Sequence, residues 1–263
     1  MLILAIDTTN EKGGVGIFRG TECLASVPNA GTANEFSVTL FEMVEQVLAQ
    51  AHLKLPEIEV FAAANGPGSF TGIRIGLAAA LAWGKVFHRR VHGVSVLEAM
   101  VSGARPTSDW AFPLFDARRG EFYLGSFHKT PFIGASGTGP ETDRHSALEG
   151  GVPASDALAA VAPDYVPAGG GWVLNPQLLR GFMEERLAGG ATGACVVRAH
   201  DQAAADLRAS LPAQLSWQQV DGSLLDSIAR VALREEQSNS VGPDAKLDAC
   251  YIRRPDAENN WKA

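Results

Sequence analysis

Two aspartates that each close a predicted strand are the residues best placed for chemistry. Asp7 is followed by Thr8 and Thr9, and Asp116 ends a strand in the second half of the chain. A carboxylate beside hydroxyl groups at a strand end can hold a phosphate through a bound metal ion, as in many kinases. The same side chains can instead bond the backbone of their own turn. The sequence leaves both interpretations open.

Two glycine-rich segments could also contact a phosphate or a nucleoside. Gly66–Gly72 opens a predicted helix, whose free N–H groups can attract an anion. It lacks the lysine of a phosphate loop, and Arg74 is the cation nearest to it in sequence. Gly169–Gly171 precedes another predicted helix without a companion motif. We interpret the first segment as a tight strand-to-helix turn, and the weak nucleotide-binding candidates are Asp7, Thr8, Asp116 and Gly170.

The sequence lacks the residues needed for a two-metal nuclease, a zinc site or a serine nucleophile. A two-metal nuclease needs several converging carboxylates, but Asn65 stands at the predicted strand end where a second acid would be needed. His88 and His92 have helical spacing, but a predicted strand around Val91 breaks the helix that a zinc pair would need. Ser69 does not lie in a G-x-S-x-G turn. The sequence therefore predicts no complete catalytic site and no bound cofactor or metal.

The elements that must position these residues begin with three strands before any helix. Hydrophobic periodicity over residues 1–105 gives the order β-β-β-α-β-α-β-α. This order is typical of a ribonuclease-H-like domain and differs from the doubly wound dinucleotide-binding pattern. The predicted strands are Leu2–Asp7, Gly13–Arg19, Cys23–Val27, Ile58–Ala64 and Val91–Val94, and the helices are Asn34–Ala51, Gly72–Phe87 and one that Ser95 caps.

The pattern restarts after the polar segment Arg105–Asp109. Trp110–Phe115 reads as an opening strand and Glu121–His128 as its partner. We predict an α/β fold of two ribonuclease-H-like halves, with domains at 1–106 and 107–263. Further predicted elements are the strands Asp164–Ala168, Gly193–Arg198 and Ala249–Arg254, and the helices Ser155–Ala160, Leu174–Leu187 and Leu224–Glu236.

The first two long helices are apolar on more than one side. A helix that covers one sheet needs a single apolar stripe, but Ile75–Gly84 contains no charged residue. Small residues at i, i+4 and i+8 would allow a second helix to approach closely. We therefore predict a partner interface on both helices, formed by Phe36, Leu40, Met43, Val44, Val47, Ile73, Gly76, Leu77, Ala80 and Gly84.

Composition narrows the class of protein and its cellular compartment. The apolar fraction of 46% is that of a globular protein, and the net charge of −7 argues against direct binding of a phosphate backbone. The N-terminus has no basic region of a signal peptide, and Ile75–Trp83 is far shorter than a membrane span. Three cysteines without a CxxC pair predict reduced thiols, so we expect a cytoplasmic protein without a zinc site or a membrane anchor.

Several segments together resemble the bacterial TsaB (YeaZ) family, which acts in forming N6-threonylcarbamoyladenosine at position 37 of tRNA. The most specific of them is G-P-G-S-F-T-G-I-R-I-G-L, and the chain departs from the family at Phe36, where many members keep a histidine. The segments that carry the resemblance are Leu4–Thr8, Gly66–Leu77, Gly93–Leu97, Asp116–Tyr123, Gly170–Trp172 and Tyr251–Arg254.

The resemblance implies an actin-like fold and a non-catalytic role. Family members pair through their first two helices with TsaD, the related subunit that binds ATP and metal, or with a second copy of themselves. The ATPase TsaE joins the assembly, and tRNA is met through the complex. The first long helix here has no H-x-x-x-H metal pair. The alternative is a stand-alone actin-like ATPase or kinase, or a metal-free peptidase.

Overall fold

The computed structural model describes residues 1–30, 35–129, 165–168, 171–199, 201–220 and 222–238. These form two compact units. Unit 1 holds Met1–Gly103 together with residues 222–238, and unit 2 holds residues 104–220. The predicted domain boundary after residue 106 stays a prediction, but by packing the helix at residues 225–238 joins the first unit.

Unit 1 is built on a five-stranded sheet. Its strands are β1 (Leu2–Asp7), β2 (Gly14–Arg19), β3 (Glu22–Pro28), β4 (Val60–Gly66) and β5 (Arg90–Ser95), and its helices are α1 (Phe36–Gln50), α2 (Phe70–Phe87), α3 (Val96–Ala104) and α6 (Leu225–Ser238). The strand order is β3-β2-β1-β4-β5, with β1, β2 and β3 antiparallel and β1, β4 and β5 parallel. The predicted ribonuclease-H-like arrangement is confirmed.

The two faces of this sheet are covered by different helices. Leu4, Ile6 and Phe61 lie in one core cluster with the inner faces of α1 and α2. Because side chains alternate along a strand, Ile3 and Ala5 are buried on the other face. Helix α6 packs against β1, β2, β4 and β5, so residues more than 130 positions apart complete the unit.

Unit 2 repeats the same plan. Its strands are β6 (Trp110–Asp116), β7 (Phe122–Leu124), β8 (Phe127–Lys129), β9 (Tyr165–Pro167), β10 (Trp172–Leu174), β11 (Gly193–Arg198) and β12 (Ser216–Gln219), and its helices are α4 (Pro176–Arg186) and α5 (Asp201–Ser210). The path β10-β7-β6-β11-β12 has two antiparallel strands on one side of β6 and two parallel strands on the other. The predicted duplication is thus present in the sheets.

Proline splits one predicted strand of unit 2. The segment predicted as one strand, Glu121–His128, forms β7 and β8 with Gly125 and Ser126 between them. Gly125 N–H donates to the Pro113 carbonyl at 3.0 Å. Proline has no N–H to return the bond, so the ladder is interrupted there. Pairing resumes in the same register, with Ala111 opposite Phe127.

Three elements of unit 2 were not predicted, and the first is the short strand β10, which takes up Leu174, the first residue of the predicted helix Leu174–Leu187. Helix α5 and strand β12 follow β11 and supply its parallel neighbour. Strand β12 is short and polar, with the sequence S-W-Q-Q, and therefore lacks the apolar alternation that signals a strand. The predicted helix Ser155–Ala160 and the predicted strand Ala249–Arg254 lie outside the described residues.

Candidate functional site

Asp7 is buried where β1 ends. Its Oδ1 atom accepts hydrogen bonds from the backbone N–H of Thr9 at 3.0 Å and from the Thr9 hydroxyl at 2.6 Å. This is the local turn that sequence reasoning set against phosphate binding, and it uses the side chain of Asp7 to hold the backbone.

The residues after Asp7 tie β1 to the start of α2. The Thr8 hydroxyl donates to the Gly72 carbonyl at 2.6 Å, and Ser69 N–H donates to the Thr9 carbonyl at 2.7 Å. Ser69 is also the N-cap of α2, because its hydroxyl accepts from Gly72 N–H at 3.2 Å. The glycine segment is therefore a tight turn locked to the strand beside it.

Close approach explains the glycines of this turn. A Cβ atom at position 72 would lie 1.9 Å from the Thr8 carbonyl oxygen, and one at position 68 would lie 2.6 Å from that of Thr9. Gly66 and Gly68 also have φ values of 117° and 155°, which L side chains rarely adopt. The interpretation as a tight turn agrees with this geometry.

Asp116 holds the equivalent turn of unit 2. Its Oδ1 accepts from Arg118 N–H at 2.7 Å, and the turn closes through a bond from Ala117 N–H to the Glu121 carbonyl. Arg118, Arg119 and Gly120 all have positive φ. Gly170 lies outside the described residues. A nucleotide role for Asp7, Thr8, Asp116 and Gly170 stays a prediction.

The side chains predicted to face a partner point into unit 1. None of the eight that are not glycine is more than 5% exposed, and Gly76 and Gly84 are buried as well. The small-residue track faces the sheet, since a Cβ at position 76 would meet the Thr8 hydroxyl at 2.5 Å and one at position 84 would meet Val91 at 2.2 Å. An interface on these helices stays a prediction, but it needs other residues. The ten core residues are Phe36, Leu40, Met43, Val44, Val47, Ile73, Gly76, Leu77, Ala80 and Gly84.

The outward side of the two helices also carries apolar side chains. On α2, Ile75, Ala78, Ala82 and Val86 recur at helical spacing, and all but the half-buried Ile75 are exposed. On α1, Val38 is 73% exposed and Phe41 is 58% exposed. We call the exposed members the outer patch: Val38, Phe41, Ala78, Ala82 and Val86.

An aromatic contact joins the two parts of the outer patch. The ring of Phe41 meets the half-buried ring of Trp83 edge to face, with centroids 5.9 Å apart. Trp83 in turn packs against Phe61 of β4 at 5.9 Å. Phe41 is therefore held on the surface by the core beneath it. The residues that sequence reasoning missed differ from the predicted ones only in helical phase.

A second polar site lies on the opposite face of the same sheet. His92 is 1% exposed, and its two ring nitrogens lie 2.6 Å from Glu235 Oε2 and 2.7 Å from Glu236 Oε1. Arg90 binds the other oxygen of Glu236 at 2.9 Å. Strand β5 supplies His92 and α6 supplies both carboxylates.

Glu98 of α3 lies in the same charged cluster. It pairs with Arg234, the α6 residue just before the two glutamates. Burial raises the pKa of Glu98 to about 7, although the positive charge of Arg234 acts to lower it. Burial also lowers the pKa of His92, but the bonds and charges of Glu235 and Glu236 outweigh it, so that pKa lies above its ordinary value.

The sequence of α6 contains a signal that indicates this charged cluster. The buried stripe of α6 runs through Leu225, Ile228, Ala229 and Ala232. Glu235 and Glu236 continue that stripe at i+3 and i+4, where apolar residues would be expected. Two carboxylates on a buried stripe require a cationic partner. Only the fold shows that the partner is His92.

The described residues contain no group of three or more histidine, cysteine, aspartate or glutamate side chains that could hold a metal ion. Helix α2 has the length and apolar composition of a spanning helix. Its inner face is the core of unit 1, however, which is the ordinary reason for such a composition in a globular protein.

Comparison with known proteins identifies the family. The model of the family described as "TsaD: tRNA N6-adenosine threonylcarbamoyltransferase" matches residues 27–169, which is more than half of the chain. The tRNA threonylcarbamoyladenosine biosynthesis protein TsaB of Bacillus subtilis is 35% identical over 129 residues, covering 48% of this chain and 55% of that protein. The chain thus spans about half the length of that relative.

Two further comparisons agree. TsaB of Escherichia coli is 29% identical over 188 residues, covering 68% of this chain and 75% of that protein. A crystal structure of a Pseudomonas aeruginosa protein with similarity to peptidase YEAZ has a TM-score of 0.62 at 19% identity, covering 96% of this chain and 99% of that one. The likeness is one of fold. The two TsaB relatives confirm the predicted resemblance to TsaB. By the family model, the chain belongs to the family described as TsaD: tRNA N6-adenosine threonylcarbamoyltransferase.

Proposed function

We propose that the chain is a non-catalytic scaffold subunit in the formation of N6-threonylcarbamoyladenosine at position 37 of tRNA. It pairs through α1 and α2 with a TsaD subunit, which supplies the ATP and metal site. Alone it forms a homodimer through the same helices. TsaE joins the larger assembly, tRNA is met through the complex, and all of this takes place in the cytoplasm.

The family relationship supports the pathway. Two relatives, from Bacillus subtilis and Escherichia coli, carry the name of a tRNA threonylcarbamoyladenosine biosynthesis protein. Two segments that carry the family resemblance, the turn Gly66–Gly72 and the turn after Asp116, serve local packing in the structure. Packing roles at these positions fit a subunit that acts by binding.

The outer patch is the observation that carries the partner assignment. A standard interface covers roughly 800 Å² on each partner and places apolar and aromatic residues at its centre. The outer patch offers Phe41 as an anchor, fixed by Trp83, beside a strip of alanines that lets a helix approach closely. The exposed carboxylates of Glu42 and Glu45 lie beside it on α1, and the exposed cations Arg74 and Lys85 lie beside it on α2. We therefore expect residues of both charges around the partner's docking face.

The test introduces charge into the outer patch without touching the core. We expect Val38→Asp and Ala82→Glu to weaken the complex with TsaD at least tenfold in titration calorimetry, because each buries an unpaired carboxylate in the interface. Leu178→Asp on α4 of unit 2 is the matched control, since Leu178 is an apolar residue with 49% exposure. Full affinity of both outer-patch variants would exclude this surface.

A stand-alone ATPase or kinase remains the second candidate because of one observation. Asp7 and Asp116 close the first strands of two sheets with the same plan. In the isolated chain, calorimetry with ATP and Mg²⁺ should show no binding if the scaffold role is right. Tight binding that Asp7→Ala abolishes, with the thermal melting of that variant unchanged, would favour the second candidate.

A further inference from the structure

His92 makes two hydrogen bonds that constrain its protonation. Each ring nitrogen faces a carboxylate oxygen, at 2.6 Å to Glu235 and 2.7 Å to Glu236. An ionised carboxylate can only accept, and a neutral imidazole has one donor and one acceptor nitrogen. The imidazolium alone can donate to both carboxylates together. The geometry therefore fits a protonated ring between two ionised carboxylates.

Above the pKa of Glu98, the surrounding charges balance only with that proton. The groups around His92 among the described residues are Arg90 on its own strand, Glu98 on α3, and Arg234, Glu235 and Glu236 on α6. When Glu98 is ionised, three carboxylates meet two guanidinium groups, and protonated His92 is the third cation. Neighbouring β4 adds no charged residue. Loss of the proton would leave one buried negative charge in excess.

The two glutamates sit where a helix tolerates carboxylates poorly. Glu235 and Glu236 lie in the last turn of α6, which ends at Ser238 and contains no basic residue there. The C-terminal end of a helix carries partial negative charge, so acidic residues in its last turn destabilise it unless a cation faces them. His92 and Arg90 are the described cations that face this turn from the sheet.

We propose that His92 is a proton-dependent clamp on α6. Protonated, it donates to both glutamates and holds the last turns of α6 on the edge of the sheet. Deprotonated, it can donate to only one of them, the proton passes to solvent, and the end of α6 opens while the apolar part around Ile228 stays docked. Docking of the end of α6 on the sheet thus depends on pH. This inference does not rest on the proposed scaffold role.

The direction of the effect follows from the pKa. The two glutamates raise the pKa of His92 above its ordinary value of 6.5 despite its burial. A cation with a raised pKa contributes stability that is complete below the unfolded value and is lost as the pH rises through the folded value. We therefore expect the end of α6 to open on the alkaline side of the raised pKa.

Hydrogen exchange of the α6 amides tests the clamp in the full-length chain. After correction for intrinsic exchange, we expect protection of the amides of 233–238 to fall by up to about tenfold per pH unit above the pKa of His92. Amides of β1 should not follow that fall. In His92→Gln the dependence on pH should vanish. His52→Asn is the matched control, because His52 is exposed with a φ of 54° that asparagine tolerates.

A second measurement does not depend on how well His92→Gln folds. The pKa of the His92 ring is read from its NMR shifts in the wild type and in Glu235→Gln and Glu236→Gln. Each amide removes a negative charge, so we expect the pKa of His92 to fall in both variants. A wild-type helix end whose protection is flat from pH 6 to 9 would overturn the clamp. So would an unchanged pKa of His92 in both variants.

Discussion

The hydroxyl of Thr8 donates to the carbonyl oxygen of Gly72 across 2.6 Å, although 64 positions separate the two residues. The bond joins the end of β1 to the first turn of α2 in the interior of unit 1. It brings the backbones so close that position 72 has no room for a side chain. The specific spacing of glycines in this segment is thus a packing requirement.

Replacing Gly72 by alanine should therefore destabilise unit 1. The added Cβ would lie 1.9 Å from the Thr8 carbonyl oxygen, which is backbone and cannot move aside. We expect a loss of about 3 kcal/mol or more in the free energy of unfolding by urea. Gly181→Ala is the control, because Gly181 lies within α4 with nothing within 4 Å of its Cβ position. It should stabilise by about 0.5–1 kcal/mol. Equal effects of the two substitutions would contradict this account of the turn.

Substitution by glutamate should destabilise the protein strongly at Ala80 and very little at Ala82, two positions further along α2. Ala80 is 0% exposed, and Ala82 is exposed on the outer patch. Ala80→Glu buries an unpaired charge and should cost several kcal/mol, enough to unfold a protein of ordinary stability. Ala82→Glu should change the melting temperature little, since exposed substitutions usually stay within about 0.5 kcal/mol. Circular dichroism melting compares them, and a folded Ala80→Glu variant would place the core face elsewhere.

The pKa of Glu98 makes the stability of unit 1 fall as pH rises. Between its ordinary pKa of 4.5 and its raised value of about 7, the folded protein keeps a proton that the unfolded chain has released. Across this interval the contribution of Glu98 should lower the free energy of unfolding by up to about 3 kcal/mol, and above pH 7 that contribution should be constant. In Glu98→Gln, which can still accept from Arg234, that decrease should disappear from urea unfolding curves at pH 5 and pH 7. An unchanged slope in the variant would assign the dependence to other groups.

The thiols should differ in reactivity. Burial raises the pKa of the Cys195 thiol to about 12, and Cys23 is exposed. Because the thiolate is the reactive form, iodoacetamide at pH 8 should label Cys23 and leave Cys195 unmodified in the folded chain. Peptide mass spectrometry reads each site separately, and both should react in guanidinium chloride. Rapid labelling of Cys195 under native conditions would show that β11 is not buried in the core as described.

Local patterns in the sequence were enough to predict most of unit 1. Apolar alternation gave the strands of the first sheet, and helical spacing gave α1, α2 and α6, because each of these buries a regular set of residues. The restart at Trp110 predicted the second sheet. The interruption at Pro113 and the polar strand β12 were missed, since one depends on the cross-strand partner and the other on pairing with β11.

The candidate site was also predictable from the sequence only in part. Sequence alone predicted that α1 and α2 are too apolar for one covered face and that the glycine segment forms a turn, whereas the turn at Asp7 was one of two open interpretations. Only the tertiary structure decided which side of each helix is core, because Gly76, Ala80 and Gly84 fit the sheet and leave Ala78, Ala82 and Val86 outside. It also decided that His92 meets Glu235 and Glu236, which lie more than 140 positions away. Periodicity determines that a face is buried, and the packing of distant segments determines what covers it.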